Sequence, residues 1–140
     1  MRKLIYVIFC LLAISCDIET SDNGDLDGYW QLKTVDTLSS GISADVREDG
    51  IFWAFQFDLM EAWVIGEDGV FFRFSHMGDS LRIYDPYIDN RDSGDIALTD
   101  VSMLYPMGIS STDETFSVLK LNGSNMELQS ECLHLIFRKY

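Results

Sequence analysis

From Ile51 to Leu59 large apolar side chains stand at every second position: Ile51, Trp53, Phe55, Phe57 and Leu59, with Phe52, Ala54, Gln56 and Asp58 between them. Successive side chains of a strand point to opposite faces, so a period of two marks a β-strand with one strongly apolar face. Shorter runs of β-branched and aromatic residues predict strands over Gly28 to Val35, Ala62 to Ile65, Val70 to His76, Leu81 to Tyr84, Thr115 to Leu121, Met126 to Ser130 and Leu133 to Lys139. Turn-forming residues separate them at Glu67-Asp68-Gly69, Gly78-Asp79-Ser80 and Asn122-Gly123-Ser124. No segment keeps a 3.6-residue period over three turns. Short strands joined by tight turns predict an antiparallel meander, and closing it into a barrel hides the edges that an open sheet would expose. The expectation is an all-β, antiparallel up-and-down barrel of about eight or nine strands, with a β-sandwich as the structural alternative.

The pattern breaks between Asp85 and Thr112. This segment is rich in Asp, Asn, Gly and Ser and holds both prolines, Pro86 and Pro106. It predicts one short strand near Ile96 to Leu98 and a helical turn around Val101 to Tyr105. Its Leu104-Tyr105-Pro106-Met107 patch is apolar enough to lie over a barrel mouth as a lid.

The first residues carry an address. Met1-Arg2-Lys3 is basic, Leu4 to Ile14 is apolar without a charge, and Ala13-Ile14-Ser15-Cys16 ends the run before Asp17. These are the proportions of a secretory signal, and the run is short of the ~20 residues of a spanning helix. The small residues before Cys16 resemble a lipobox. The expectation is a signal peptide over residues 1–15, lipidation of Cys16, an acidic tether over residues 16–25 and one domain over residues 26–140. The partner this implies is a membrane, reached through the N-terminal lipid, and the location is the bacterial outer membrane. The acidic residues after Cys16 resemble an export signal for display at the cell surface.

Charge and cysteines narrow the classes further. The chain carries 23 acidic and 10 basic residues, a net charge of −13. Loss of Arg2 and Lys3 with the signal would make it about −15, which argues against a nucleic-acid partner, since such partners need basic faces. Of the three cysteines, Cys10 leaves with the signal and Cys16 is modified. Cys132 then has no partner for an internal disulfide, and a lone thiol in an oxidising compartment is expected to be buried. In a strand it would share a face with His134.

Gly28-Tyr29-Trp30 opens the first predicted strand, and Arg138-Lys139 closes the last. The triplet resembles the Gly-x-Trp motif of lipocalins. In the wider calycin superfamily a basic side chain of the last strand packs over that tryptophan, a contact worth ~0.5–2 kcal/mol. The resemblance therefore implies a structural signature of Gly28, Trp30 and Arg138, or Lys139 in its place. The ending Phe116-x-Val118-x-x-Leu121, Met126-x-Leu128 and Leu133-x-Leu135-x-Phe137-Arg138-Lys139 completes a pattern similar to small lipocalin-like lipoproteins of anaerobic bacteria. That family implies fold and location; as a group it has no established activity.

Catalytic chemistry finds little support. His76 and His134 are the two histidines, and no nucleophile elbow accompanies either. Two separated histidines and one thiol do not make a zinc site, and Arg91 falls inside the acidic run Asp85, Asp89, Asp92 and Asp95, which reads as a solvated loop. Asp58 and Glu127 are the carboxylates expected within strands, too few for paired acid–base work. No metal, cofactor or enzymatic activity is expected. The alternating aromatic face supplies candidate ligand-binding residues instead: Trp53, Phe55, Phe57, Phe72 and Phe74, with Tyr105 from the lid. The first functional expectation is a small hydrophobic ligand held inside the barrel. The second is a filled barrel that acts as a protein- or glycan-interaction module.

Overall fold

A computed structural model describes residues 21–140. The expected signal peptide, Cys16 and the first part of the expected tether lie outside the described residues. Ten strands form in chain order: β1 Gly28–Thr37, β2 Ile42–Asp45, β3 Ile51–Gln56, β4 Leu59–Val64, β5 Val70–Met77, β6 Ser80–Ile88, β7 Ile96–Ala97, β8 Glu114–Leu121, β9 Asn125–Gln129 and β10 Leu133–Lys139. A 3₁₀ turn at Gly24–Leu26 precedes β1, and a 3₁₀ helix at Val101–Met107 lies between β7 and β8.

Eight strands run β1-β3-β4-β5-β6-β8-β9-β10, every neighbour antiparallel, and β10 pairs back onto β1 to close the barrel. The all-β barrel read from alternation is the observed fold, and the sandwich is not. Closure leaves no continuous open edge. The two extra strands are local: β2 pairs the upper half of β1, and the two-residue β7 pairs the end of β6. A register shift at Lys33 divides β1, so that Gly28–Gln31 meet β3 and Thr34–Thr37 meet β2.

Three sequence readings change. The run from Ile51 to Leu59 is two strands, because the chain reverses at Phe57-Asp58 and pairs Gln56 with Leu59. β6 continues four residues beyond Tyr84 to Ile88; an irregularity at Asp85-Pro86 sets two residues against one on β5, and Asp85 takes a positive φ of 51°. β2 was not anticipated: its four residues are all exposed, and the run is too short to stand out as a strand.

Strand direction divides the barrel into two ends. β1 begins and β10 finishes at one end, beside the Phe57 and Gly78-Asp79 turns. The segment from β7 to β8 lies at the other. Every strand of the barrel sends buried apolar residues inward, among them Trp30, Leu32, Trp53, Phe55, Met60, Phe72, Ile83, Phe116, Leu128 and Phe137. Each such side chain contributes ~1.5–3 kcal/mol by leaving water.

Candidate functional site

The lower end is closed by a cation over an indole. Trp30 is fully buried, and its Nε1 donates to the Leu26 carbonyl at 2.8 Å. Lys139 is its register partner on β10; its Nζ lies 4.3 Å from the ring centroid and donates to the carbonyls of Asp25, at 3.0 Å, and Asp27. Burial lowers the lysine pKa, while Asp25 and Asp27 pull it back up. Gly28 has φ 110°, and a Cβ there would sit 3.2 Å from Lys139 Cε and Nζ. The signature is therefore Gly28, Trp30 and Lys139. Arg138 does not take part: with Phe137 pointing inward, the strand period turns Arg138 outward, where its Nε donates to Gln31 Oε1 at 2.6 Å.

Ser21 to Asp25, expected in the tether, also belong to this end. Ser21 Oγ and the Asn23 side chain both donate to Asp27 Oδ1, at 2.5 and 2.8 Å. The Asn23 side chain also donates to the Phe57 carbonyl at 2.8 Å, and the Phe57 amide donates to Ser21 Oγ at 2.8 Å. Phe57 has φ 54°, a conformation costly for a bulky residue, and the two bonds hold it there.

Four of the six candidate ligand residues meet inside the barrel. Trp53 has its ring 4.9 Å from Phe137 and 5.6 Å from Phe116, and Phe55 meets Phe74 edge-on at 5.1 Å. Phe72 is fully buried among them. These rings occupy the interior by packing on one another. Phe57 is not with them, because the reversal of the chain puts it in the turn, half-exposed. Tyr105 is also exposed, on the outer side of the 3₁₀ helix.

That helix fills the upper mouth. Leu104, Met107 and Ile109 are buried in the core, and Trp53 Nε1 donates to the Met107 carbonyl at 3.0 Å. Asp100 caps the first turn by accepting from the Ser102 amide at 3.1 Å. Gly108 ends it at φ 81°, where a Cβ would lie 3.0 Å from Leu135. Glu114, buried at the start of β8, accepts from the Ser110 amide at 2.8 Å and the Ser111 amide at 3.3 Å. Burial raises its pKa despite these bonds. The lid expected from the sequence is thus an inserted plug, its backbone held by the indole N–H of Trp53 in the core.

The remaining polar candidates stay apart. His134 Nδ1 lies 3.0 Å from Oδ2 of Asp36, its register partner, and Nε2 lies 3.5 Å from Glu127. No nucleophile bonds the ring, and Nε2 is buried without a hydrogen-bond partner. Cys132 is exposed, not buried; it sits in the turn before β10, with its carbonyl accepting from Leu38, and so does not share a strand face with His134. Asp58 lies in the Phe57 turn, 3.7 Å from Arg73. Among the described residues no cluster of three or more His, Cys, Asp or Glu could hold a metal ion, and no helix is long and apolar enough to cross a membrane.

The sequence reading missed the outer surface. Phe52 and Trp63 stack at 5.5 Å, Tyr140 meets Phe52 edge-on at 5.0 Å, and Tyr29 meets Trp63 edge-on at 6.0 Å. With Ile65 these rings line an open cleft of about 290 Å³. A second cleft of about 220 Å³ adjoins it across Tyr29 and is lined by Ala54, Phe57, Glu61 and Phe71. Phe71 in turn stacks on Tyr87 at 5.5 Å. The signal for this face was present at Phe52, Trp63 and Phe71, the off-phase positions of the same strands.

An eight-stranded antiparallel barrel, closed at one end by a glycine, a tryptophan and a basic residue of the last strand, is a calycin-type barrel. The chain matches the lipocalin-like domain over residues 9–140 and belongs to that family. It is similar to a solved lipocalin-like protein of Bacteroides uniformis, at 28% identity over 84% of this chain and 100% of the other, with a TM-score of 0.65. An uncharacterised protein of Bacteroides eggerthii shares the fold at 24% identity, covering 82% of this chain and 99% of the other, with a TM-score of 0.62. No curated protein matches the chain.

Proposed function

We propose that this protein is a non-catalytic binding module of the bacterial envelope, anchored through lipid on Cys16, that engages its partner on the outer aromatic face of a filled barrel. The observation that carries this reading is the pair of adjoining clefts walled by Tyr29, against an interior occupied by Trp53, Phe55, Phe72 and the Leu104 plug. Exposed aromatic surface of this kind is what protein and glycan interaction sites use. A small apolar ligand inside the barrel is the second reading. The observation in its favour is that the plug is a single 3₁₀ helix, whose withdrawal would open a lumen lined by the same aromatics.

Two measurements test the proposal. A photo-crosslinking residue at position 63 should form adducts in intact cells, whereas one at Lys120, on β8, should not. Titration of the protein with fluorescent fatty acids should give no saturable quenching of tryptophan at micromolar concentration. Saturable quenching, with no adducts at position 63, favours the interior ligand instead. For the anchor, a palmitate analogue should label the wild-type chain and not Cys16→Ser; an unlabelled wild type, recovered free of the membrane, would remove the anchor from the proposal.

A further inference from the structure

Glu61 is a half-buried carboxylate on the outer face with no protein partner among the described residues. It points outward from β4, with Ala54 beside it on β3 and Phe71 opposite on β5. Gly69 leaves room for its carboxyl, since a Cβ there would lie 2.3 Å from Glu61 Oε1. The residue is partly buried, and desolvation alone raises its pKa; among the described residues no hydrogen bond or ion pair to it is formed. Arg73, two residues beyond Phe71 on β5, is engaged at 3.7 Å by Asp58. The cleft is lined by Glu61 and Asp58 together with Tyr29, Phe57 and Phe71.

We infer that this cleft takes a small organic cation, a substituted ammonium group held among Tyr29, Phe71 and the carboxylates of Glu61 and Asp58. The inference rests on the outer face being the binding face, and it names the chemistry of what binds there. Aromatic faces attract cations through the ring quadrupole, and a desolvated site strengthens the attraction. The carboxylates supply the counter-charge. Other ligand classes fit less well. An apolar ligand would bury Glu61 further without a partner, which carries the penalty of an unsatisfied polar group. An anion would meet the carboxylates directly, in a chain with a net charge of −13. That same charge draws cations toward the surface. The volume of about 220 Å³ lies below the ~300–1,000 Å³ of pockets for drug-sized ligands and suits a head group.

Calorimetric titration of the full protein with choline, and separately with 3,3-dimethylbutan-1-ol, its neutral isostere, tests the charge requirement. Choline should bind saturably and the alcohol at least tenfold more weakly. Glu61→Gln should weaken choline at least tenfold, and Phe71→Leu severalfold. Both variants should unfold within a few degrees of wild type, which separates lost binding from lost fold. Phosphocholine distinguishes the source: weaker binding than choline indicates a free ammonium ion, and equal or tighter binding a phospholipid head group. Equal binding of choline and the alcohol, with both reduced by Phe71→Leu, would overturn the cation while leaving the outer face as the binding face. Saturable binding of neither, or choline binding that Glu61→Gln leaves unchanged, overturns the inference outright.

Discussion

The same strands carry two aromatic faces with opposite fates. Inside, Trp53 and Phe55 of β3 and Phe72 of β5 are sealed against Phe116, Phe137 and the plug. Outside, Phe52 of β3, Trp63 of β4 and Phe71 of β5 stack in pairs that leave open clefts between them. A barrel needs its inner face filled for stability, but nothing in the fold requires aromatics on the outer one, where polar residues would serve. The inner set explains why the chain folds; of the outer set only Phe52 is buried, under Trp63 and Tyr140. Trp53→Ala should therefore cost ~3–5 kcal/mol, as large-to-small changes in a packed core do, and it also strands the Met107 carbonyl. Trp63→Ala should lose chiefly its stacking, ~0.5–1.5 kcal/mol. Urea unfolding of the two variants measures the contrast, and equal losses would erase it.

The closure at Lys139 is a narrower case. It joins an inward-facing strand position to a buried indole, so it belongs with the inner set although its ammonium reaches backbone at the surface. Lys139→Met keeps the aliphatic stem and removes the cation. The lost cation–π contact and carbonyl bonds should lower stability by ~1–3 kcal/mol. Arg138→Met should change it by less, because Arg138 holds only Gln31. If the two losses come out in the reverse order, Lys139 is not the closing residue.

Much of the fold was legible because the inner face writes a period of two. Val70, Phe72 and Phe74, or Met126 and Leu128, announce both the strand and the side that is buried. The Phe57 turn was not legible, because Phe57 and Leu59 continue the alternation across the reversal, and no glycine marks the residue with positive φ. Cys132 was misplaced for a related reason: a cysteine beside strand residues suggests burial, while Ser130 turns the chain there through bonds to the Cys132 and Leu133 amides. The choice between Arg138 and Lys139 needed the register. The site was the least legible part. One phase of the alternation picks out Trp53 and Phe55 and passes over Phe52, Trp63 and Glu61, which come together with Tyr29 and Phe71 only when β1, β3, β4 and β5 lie side by side.

Desolvated carboxylates sharpen the comparison with pH. Glu114 at the plug and Glu61 outside both have raised pKa values through desolvation, from an ordinary value of 4.5. A carboxyl whose folded pKa exceeds its unfolded one binds more protons when native, so stability falls as pH rises from 4.5 through the raised value. The lowered aspartates, Asp27, Asp36, Asp45, Asp100 and Asp113, act in the opposite sense and below 3.8. Thermal unfolding midpoints should thus decline as pH rises from 4.5, and Glu114→Gln should flatten that decline in part. A steeper decline in the variant would mean that the Ser110 and Ser111 bonds outweigh the burial.

The smallest expected effect lies where the two faces meet. Phe57 stands in the turn between β3 and β4, beside the Glu61 cleft, at φ 54°. A left-handed conformation costs a residue with a Cβ ~1–2 kcal/mol, and glycine escapes that cost. Glycine would keep the backbone bonds to Ser21 and Asn23, which involve only the Phe57 amide and carbonyl. Against this stand the greater chain entropy that glycine gives the unfolded state, ~0.5–1 kcal/mol, and the loss of a ring that is already half-exposed. Phe57→Gly should therefore leave stability unchanged or raise it by up to ~1 kcal/mol, measured by urea unfolding. If choline binding falls in the same variant, the strain at Phe57 is kept for the cleft and not for the fold. A loss of 2 kcal/mol or more would show instead that the ring supports the core, and the division between an inner face for folding and an outer face for binding would fail at this end of the barrel.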